Sequence, residues 1–114
     1  MANRRMFRTD FIISDKFLDM EDNSQLLYFH LIGNADDEGF IDNVNSVLRL
    51  TSIDRVYLTQ LIDKSYILKL EDTLYLVVHW HQHNKIGQGR KIISKYADRL
   101  NSLDVVDEVY KIKQ

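Results

Sequence analysis

Residues 65 to 80, "SYILKLEDTLYLVVHW", constrain this chain more than any other stretch. Two β-rich runs, 66–70 and 73–79, flank the polar pair Glu71-Asp72. β-Branched and aromatic residues suit a pleated, half-buried surface, so the stretch predicts a β-hairpin with Glu71-Asp72 at its tip. A lone hairpin is marginal in water and needs a partner to pack on. That partner lies upstream, and its patterning is helical.

"SDKFLDM" at 14–20 reads as a short helix with Ser14 as N-cap. "NSQLLYFHLIGNA" follows, capped by Asn23 or Ser24, with apolar residues at 27, 28, 31 and 32 and a stop at Gly33-Asn34. Gly39-Phe40-Ile41 is a short strand. "NVNSVLRLT" gives a second helix with Val44, Val47 and Leu48 inward. Ser52 then caps a third helix, roughly 53–64. Its apolar side carries Ile53, Tyr57, Leu58, Leu61 and Ile62; Arg55, Thr59 and Asp63 lie opposite, with Gln60 at the margin. The order is helix, strand, helix, helix, strand, turn, strand. This is the topology of a winged helix-turn-helix, a mainly helical α+β fold with the hairpin as its wing and "LRLTSID" as the helix-helix junction. It spans 1–99. Past Trp80 the chain turns polar and basic before a helical tail from about Ile92. Residues 100–114 form a C-terminal helical tail or the start of a linker, with Leu103, Val106, Val109 and Tyr110 at helical spacing.

A chain of 114 residues is one domain's worth, and 45% hydrophobic residues with 11% aromatics can build a real core. No apolar run approaches the roughly 18 residues of a membrane span, and no apolar segment follows the first basic residues as in a secretory signal. Cysteine is absent, which excludes disulfides, thiolate zinc sites and a cysteine nucleophile, and fits a cytoplasmic protein with no membrane partner. The net charge of −2 hides a segregation. Residues 9–76 carry a balance of −8, residues 1–8 carry +3 and residues 77–99 carry +4. An acidic body with two basic flanks points to a polyanionic partner.

Three stretches suggest chemistry. In "NADDEGFIDNVN", residues 34–45, Asn34, Asp36, Glu38 and Asp42 fall on the ligand rhythm of a calcium loop, with Gly39 at its sixth position. The twelfth position is Asn45, which cannot supply the bidentate carboxylate, so the stretch reads as a turn with Asp42 or Asn43 capping the next helix. "HWHQH" would put His79, His81 and His83 on one face of a continuing strand, a zinc-like spacing. Histidine-triad hydrolases need apolar residues where Gln82, Asn84 and Lys85 stand, so these histidines read as packing or capping groups. In "NKIGQGRKIISKY" the pair Gly87 and Gly89 lacks the ending of a nucleotide loop. Its cations fit a nucleic-acid backbone better. No nucleophile-base pair stands out, so neither an enzyme nor a bound cofactor or metal is expected.

"RRMF" at 4–7, "FLDM" at 17–20, "LLYFHL" at 26–31, "ADDEGFIDN" at 35–43 and "HWHQHNKI" at 79–86 carry a family resemblance. Together they resemble the N-terminal winged-helix domain of phage replisome organiser proteins, the DnaD-like replication initiators of Gram-positive bacteria and their phages. The resemblance implies binding to double-stranded DNA at a replication origin, alongside other replisome or helicase-loading proteins. Arg4, Arg5 and Arg8 would contact phosphate from one side and Lys85, Arg90, Lys91 and Lys95 from the other. Arg55, Thr59 and Gln60 would face the major groove, with Arg49 on the preceding helix. With so few readers, selectivity would come from a homo-oligomer or from repeated sites. The alternative is a winged helix used for protein contacts in the replisome, without direct DNA binding.

Overall fold

The computed structural model describes residues 4–85 and 92–113, and it is an α+β fold of helices and small antiparallel sheets. Two single-turn helices, α1 (Thr9–Ile12) and α2 (Asp15–Leu18), lead into α3 (Asp22–Asn34). Then come β1 (Phe40–Ile41), α4 (Val44–Thr51), α5 (Arg55–Asp63), β2 (Ile67–Glu71), β3 (Leu74–Val77) and the short α6 (Trp80–His83). A 3-10 turn (Ala97–Ser102) and the strands β4 (Leu103–Val106) and β5 (Val109–Ile112) complete the chain. Among the described residues, no helix is long and apolar enough to cross a membrane.

The core forms where the apolar periodicities converge. On α3, Leu27, Tyr28, Leu31 and Ile32 recur at helical spacing and are fully buried; α4 adds Val44, Val47 and Leu48, and α5 adds Leu58 and Leu61. Beside them lies a three-stranded antiparallel sheet in the order β1-β3-β2. Phe40 faces Leu76 across β1-β3, and Leu68 faces Leu76 across β2-β3, so β3 is central and all four of its residues are buried. The hairpin forms, but its tip falls one residue later than expected: Glu71 pairs with Leu74, which leaves Asp72 and Thr73 in the turn, and a bulge lies near Lys69. Gly39 adopts φ +95°, and a Cβ there would lie 2.8 Å from Cγ of Trp80, so only glycine fits.

Helix ends depart from the local expectations. Ser14 does cap α2, accepting from the Phe17 amide. Ser52 does not cap α5. It takes a left-handed φ of 57° that ends α4, Ile53 drops into the core, and the Asp54 carboxylate accepts from the Val56 amide at 2.9 Å. Two residues are needed to reverse the chain, so the capping role falls to the third; a carboxylate there also suits the positive end of the helix dipole. Likewise α3 starts ahead of Asn23 and Ser24, with Glu21 at its N-cap position. The fully buried Ser24 hydroxyl turns to the Tyr57 carbonyl, at 3.2 Å, and to Gln60.

Two larger corrections follow Val77. The strand ends there, and 80–83 make a helical turn. The three histidines therefore do not share a strand face: His79 packs on Phe11 and Tyr66, His81 on Tyr110, and His83 is buried against Tyr28. The helical tail predicted from Ile92 does not form over the described residues: 92–96 hold neither helix nor strand, Ala97–Ser102 is the 3-10 turn, and Leu103–Val106 with Val109–Ile112 make a β-hairpin. Asp107 and Glu108 take φ of 54° and 64°, the paired left-handed geometry of a two-residue hairpin turn. Leu103 and Tyr110 are the buried residues of this hairpin; the Tyr110 amide donates to the Val78 carbonyl at 2.9 Å, and its hydroxyl to the Glu38 carbonyl at 2.7 Å.

Candidate nucleic-acid interface

The N-terminal arm is knitted to the body rather than waving free. The Met6 amide donates to Oδ1 of Asn84 at 2.7 Å, and the Arg8 amide to Nδ1 of His83 at 2.9 Å. Because Nδ1 accepts, Nε2 of His83 carries the proton and meets the Tyr28 hydroxyl at 2.9 Å. Burial, reinforced by the nearby His79 and Arg8, pushes His83 down to about 4, so it stays neutral. Arg4 is exposed. Arg5 is not: its side chain is only 8% exposed, with Nη2 2.7 Å from the Ala35 carbonyl and 3.0 Å from Oδ1 of Asp37. Its guanidinium lies 5.0 Å from the Trp80 ring centroid. Arg5 is therefore corrected from a phosphate contact to an interior tie. Arg8 points outward, paired with Asp10 at 2.7 Å.

The turn at 36–42 binds the rest of the chain to this arm. Asp36 Oδ1 accepts from the amides of Glu38 and Phe40, and its Oδ2 from the Ser94 hydroxyl at 2.5 Å. Buried Asp37 also accepts from the Ile92 amide at 3.1 Å. Asp42 accepts from the Tyr96 hydroxyl at 2.7 Å and pairs with Lys95 at 3.1 Å, and these two hold its carboxyl below the usual carboxylate range. Asn43, not Asp42, occupies the N-cap position of α4, but its side chain makes no capping bond and its side-chain amide donates instead to Oδ1 of Asn34 at 3.1 Å. These oxygens are committed to holding the chain to itself. Among the described residues, no cluster of three metal-ligating side chains occurs.

The outer side of α4 and α5 is different. Asn45 and Arg49 stand four residues apart on one face of α4, and both are exposed. Arg55 opens α5 and reaches across to bond Oδ1 of Asn45. Thr59 follows one turn later, exposed, with its hydroxyl 3.4 Å from the Arg55 carbonyl. Arg49, Arg55 and Thr59 are thus brought onto one continuous surface. Gln60 is not: its carboxamide oxygen accepts from the buried Ser24 hydroxyl, so it ties α5 to α3 instead of facing a groove. Lys85 is exposed but paired with Glu108 at 3.0 Å, and exposed Lys95 with Asp42. Arg90 and Lys91 lie outside the described residues.

Two contributors escaped the sequence reading. Asn45 orients Arg55, a role visible only once the helices are packed. Arg99 pairs with Glu71 at 2.9 Å beside the hairpin tip and with Asp98 at 3.0 Å. Its place in the basic 77–99 stretch was the available signal. Comparison with known protein families, with characterised proteins and with solved structures finds no match to this chain.

Proposed function

We propose that this chain is a winged-helix DNA-binding domain of the replisome-organiser kind, acting on double-stranded DNA in the cytoplasm during replication initiation. In this reading α4, the Ser52 turn and α5 are the helix-turn-helix, and β2-β3 is the wing. The observation that carries it is the Asn45-Arg49-Arg55-Thr59 surface, where Arg55 is oriented but left facing solvent. A planar guanidinium on the first turn of the second helix suits a bidentate contact to guanine, and Thr59 sits within the same groove footprint. Arg49, Arg4, Arg8, Lys85 and Lys95 supply phosphate contacts. Arg8, Lys85 and Lys95 must exchange an acidic partner for phosphate, and exposed pairs of this type are worth only about 0–1 kcal/mol. Partners are then the origin duplex and other replisome or helicase-loading proteins, with a homo-oligomer supplying selectivity.

Fluorescence anisotropy of a labelled duplex tests this reading. The logarithm of affinity should fall linearly with log salt, at a slope corresponding to about four phosphate contacts. Absence of binding at low salt would sink the proposal. One observation favours the alternative of a protein-contact module: Leu50 and Val56, on either side of the helix-helix turn, are 85% and 59% exposed. Apolar side chains this open beside a charged groove reader would suit a protein surface instead.

A further inference from the structure

The open end of the β2-β3 hairpin, opposite its tip, closes a second region, of which the duplex reading uses Arg8 alone. There the Val78 amide donates to the Tyr66 carbonyl at 3.1 Å, and α1 and α2 pack alongside. A cleft of about 450 Å³ lies between them, and Arg8, Asp10, Phe11, Lys16, Tyr66 and His79 are among its walls. Three features set it apart from the acidic body. Lys16, on α2, has no carboxylate within ion-pair distance among the described residues, and its Nζ lies 5.4 Å from the Tyr66 ring centroid. Arg8 gives only its Nε to Asp10, and its side chain is 47% exposed, which leaves the other guanidinium edge open. His79 packs on Phe11 and Tyr66 at 5.0 and 5.6 Å, and its Nδ1 is buried with no hydrogen-bond partner among the described residues.

Burial of Nδ1 leaves Nε2 as the nitrogen that can serve the cleft. Burial first, and the Lys16 charge second, push His79 down to about 4, so the ring is neutral near pH 7. The Tyr66 hydroxyl is held protonated, because burial raises it above the usual tyrosine range. Two cations, one acid and four neutral groups able to donate (Tyr66, His79, Ser14 and Gln82, the last two already bonded to the Phe11 and Asp107 carbonyls) therefore surround one opening. Its net positive lining suits an anion with several acceptor oxygens, and arginine and lysine together are the usual pair for such a group.

We propose that this cleft is a phosphoryl-binding site, in which Lys16 and the open edge of Arg8 hold the charge and Nε2–H of His79 donates a hydrogen bond. The site does not depend on the α4-α5 surface. Its ligand is a phosphate monoester, either free or at the end of a nucleic-acid strand.

The test is a heteronuclear NMR titration of the full chain with inorganic phosphate at pH about 7.5, where phosphate is mostly dianionic, against sodium chloride of equal ionic strength. Saturable shifts centred on Lys16, Tyr66 and His79 are expected. Bound dianion should also raise the His79 pKa, since it stabilises the imidazolium. Lys16→Gln, a change at an exposed residue, should weaken phosphate binding about tenfold, the loss of one charge-assisted contact, while the thermal melt stays put. A nucleoside 5′-monophosphate and a 5′-phosphorylated single strand, each compared with its unphosphorylated form, separate the sources. Preference for the free ester assigns a small-molecule site, and preference for the strand end assigns a nucleic-acid site. Shifts that match chloride, rise without saturation, or survive Lys16→Gln would overturn the proposal.

Discussion

The turn at 36–42 and the outer face of α4-α5 both set arginines among polar side chains, Arg5 against the turn and Arg49 with Arg55 on the face, but they use them in opposite directions. In the turn, Asp36, Asp37 and Asp42 bind Arg5, Ile92, Ser94, Lys95 and Tyr96, so two distant segments meet at one loop. On the helix pair, Arg49 and Thr59 point outward, and Arg55 is tied only to Asn45 beside it. The sequence makes the turn look like a binding site and the helix face look sparse. What separates them is where the polar atoms are already satisfied. A carboxylate that accepts two or three internal bonds has little left for a partner; an exposed guanidinium with a single neutral orienter has most of its donors free.

The largest effect should come from the turn. Asp37→Ala leaves the Arg5 guanidinium buried without its carboxylate, and Nε and Nη1 of Arg5 already lack partners. Removing one member of a buried pair costs about 3–5 kcal/mol. Against a typical total of about 5–15 kcal/mol, that is a large share of the fold's stability. Urea denaturation followed by circular dichroism measures it. The exposed equivalent, Asp42→Ala, should cost about 1 kcal/mol or less. Equal losses at the two positions would break the distinction between an interior tie and a surface pair.

How much of this was readable in advance depends on the distance over which each residue acts. The inward faces of α4 and α5, the β2-β3 hairpin and the Ser14 cap follow from local periodicity and local hydrogen bonding, and the structure has them. The interior role of Arg5 rests on a partner 32 residues away, and that of Gln60 on one 36 residues away. Nothing in "RRMF" or "YLTQLID" distinguishes an inward arginine or glutamine from an outward one. The tail misled for another reason. Leu103, Val106, Val109 and Tyr110 fit a helical spacing, but Val105, Val106 and Val109 favour strands, and Asp107-Glu108 can turn. With Tyr110 drawn under the loop at Glu38, packing decides the matter.

The next effect in size belongs to the helix face and should appear in binding alone. Arg55→Ala is expected to weaken a preferred duplex by about 1–3 kcal/mol and random DNA by less. Stability should change by no more than about 0.5 kcal/mol, since the side chain is exposed. Paired anisotropy and urea titrations read both quantities. A stability loss with unchanged duplex affinity would move Arg55 into the same class as Arg5.

The smallest expected effect is the sharpest for choosing between the two uses of this surface. Leu50 is 85% exposed, so Leu50→Ser removes apolar area from solvent contact without opening a cavity. Stability should stay within about 0.5 kcal/mol. On the DNA reading, duplex affinity and its salt slope should also be unchanged, because a leucine at the end of α4 neutralises no phosphate. Sedimentation velocity across a concentration series supplies the other half of the measurement. Self-association that disappears in Leu50→Ser, with duplex binding absent in both chains, would transfer the face from nucleic acid to protein. Intact duplex binding in both chains keeps it with the DNA, and leaves the leucine as an ordinary exposed residue of the kind that every protein surface carries.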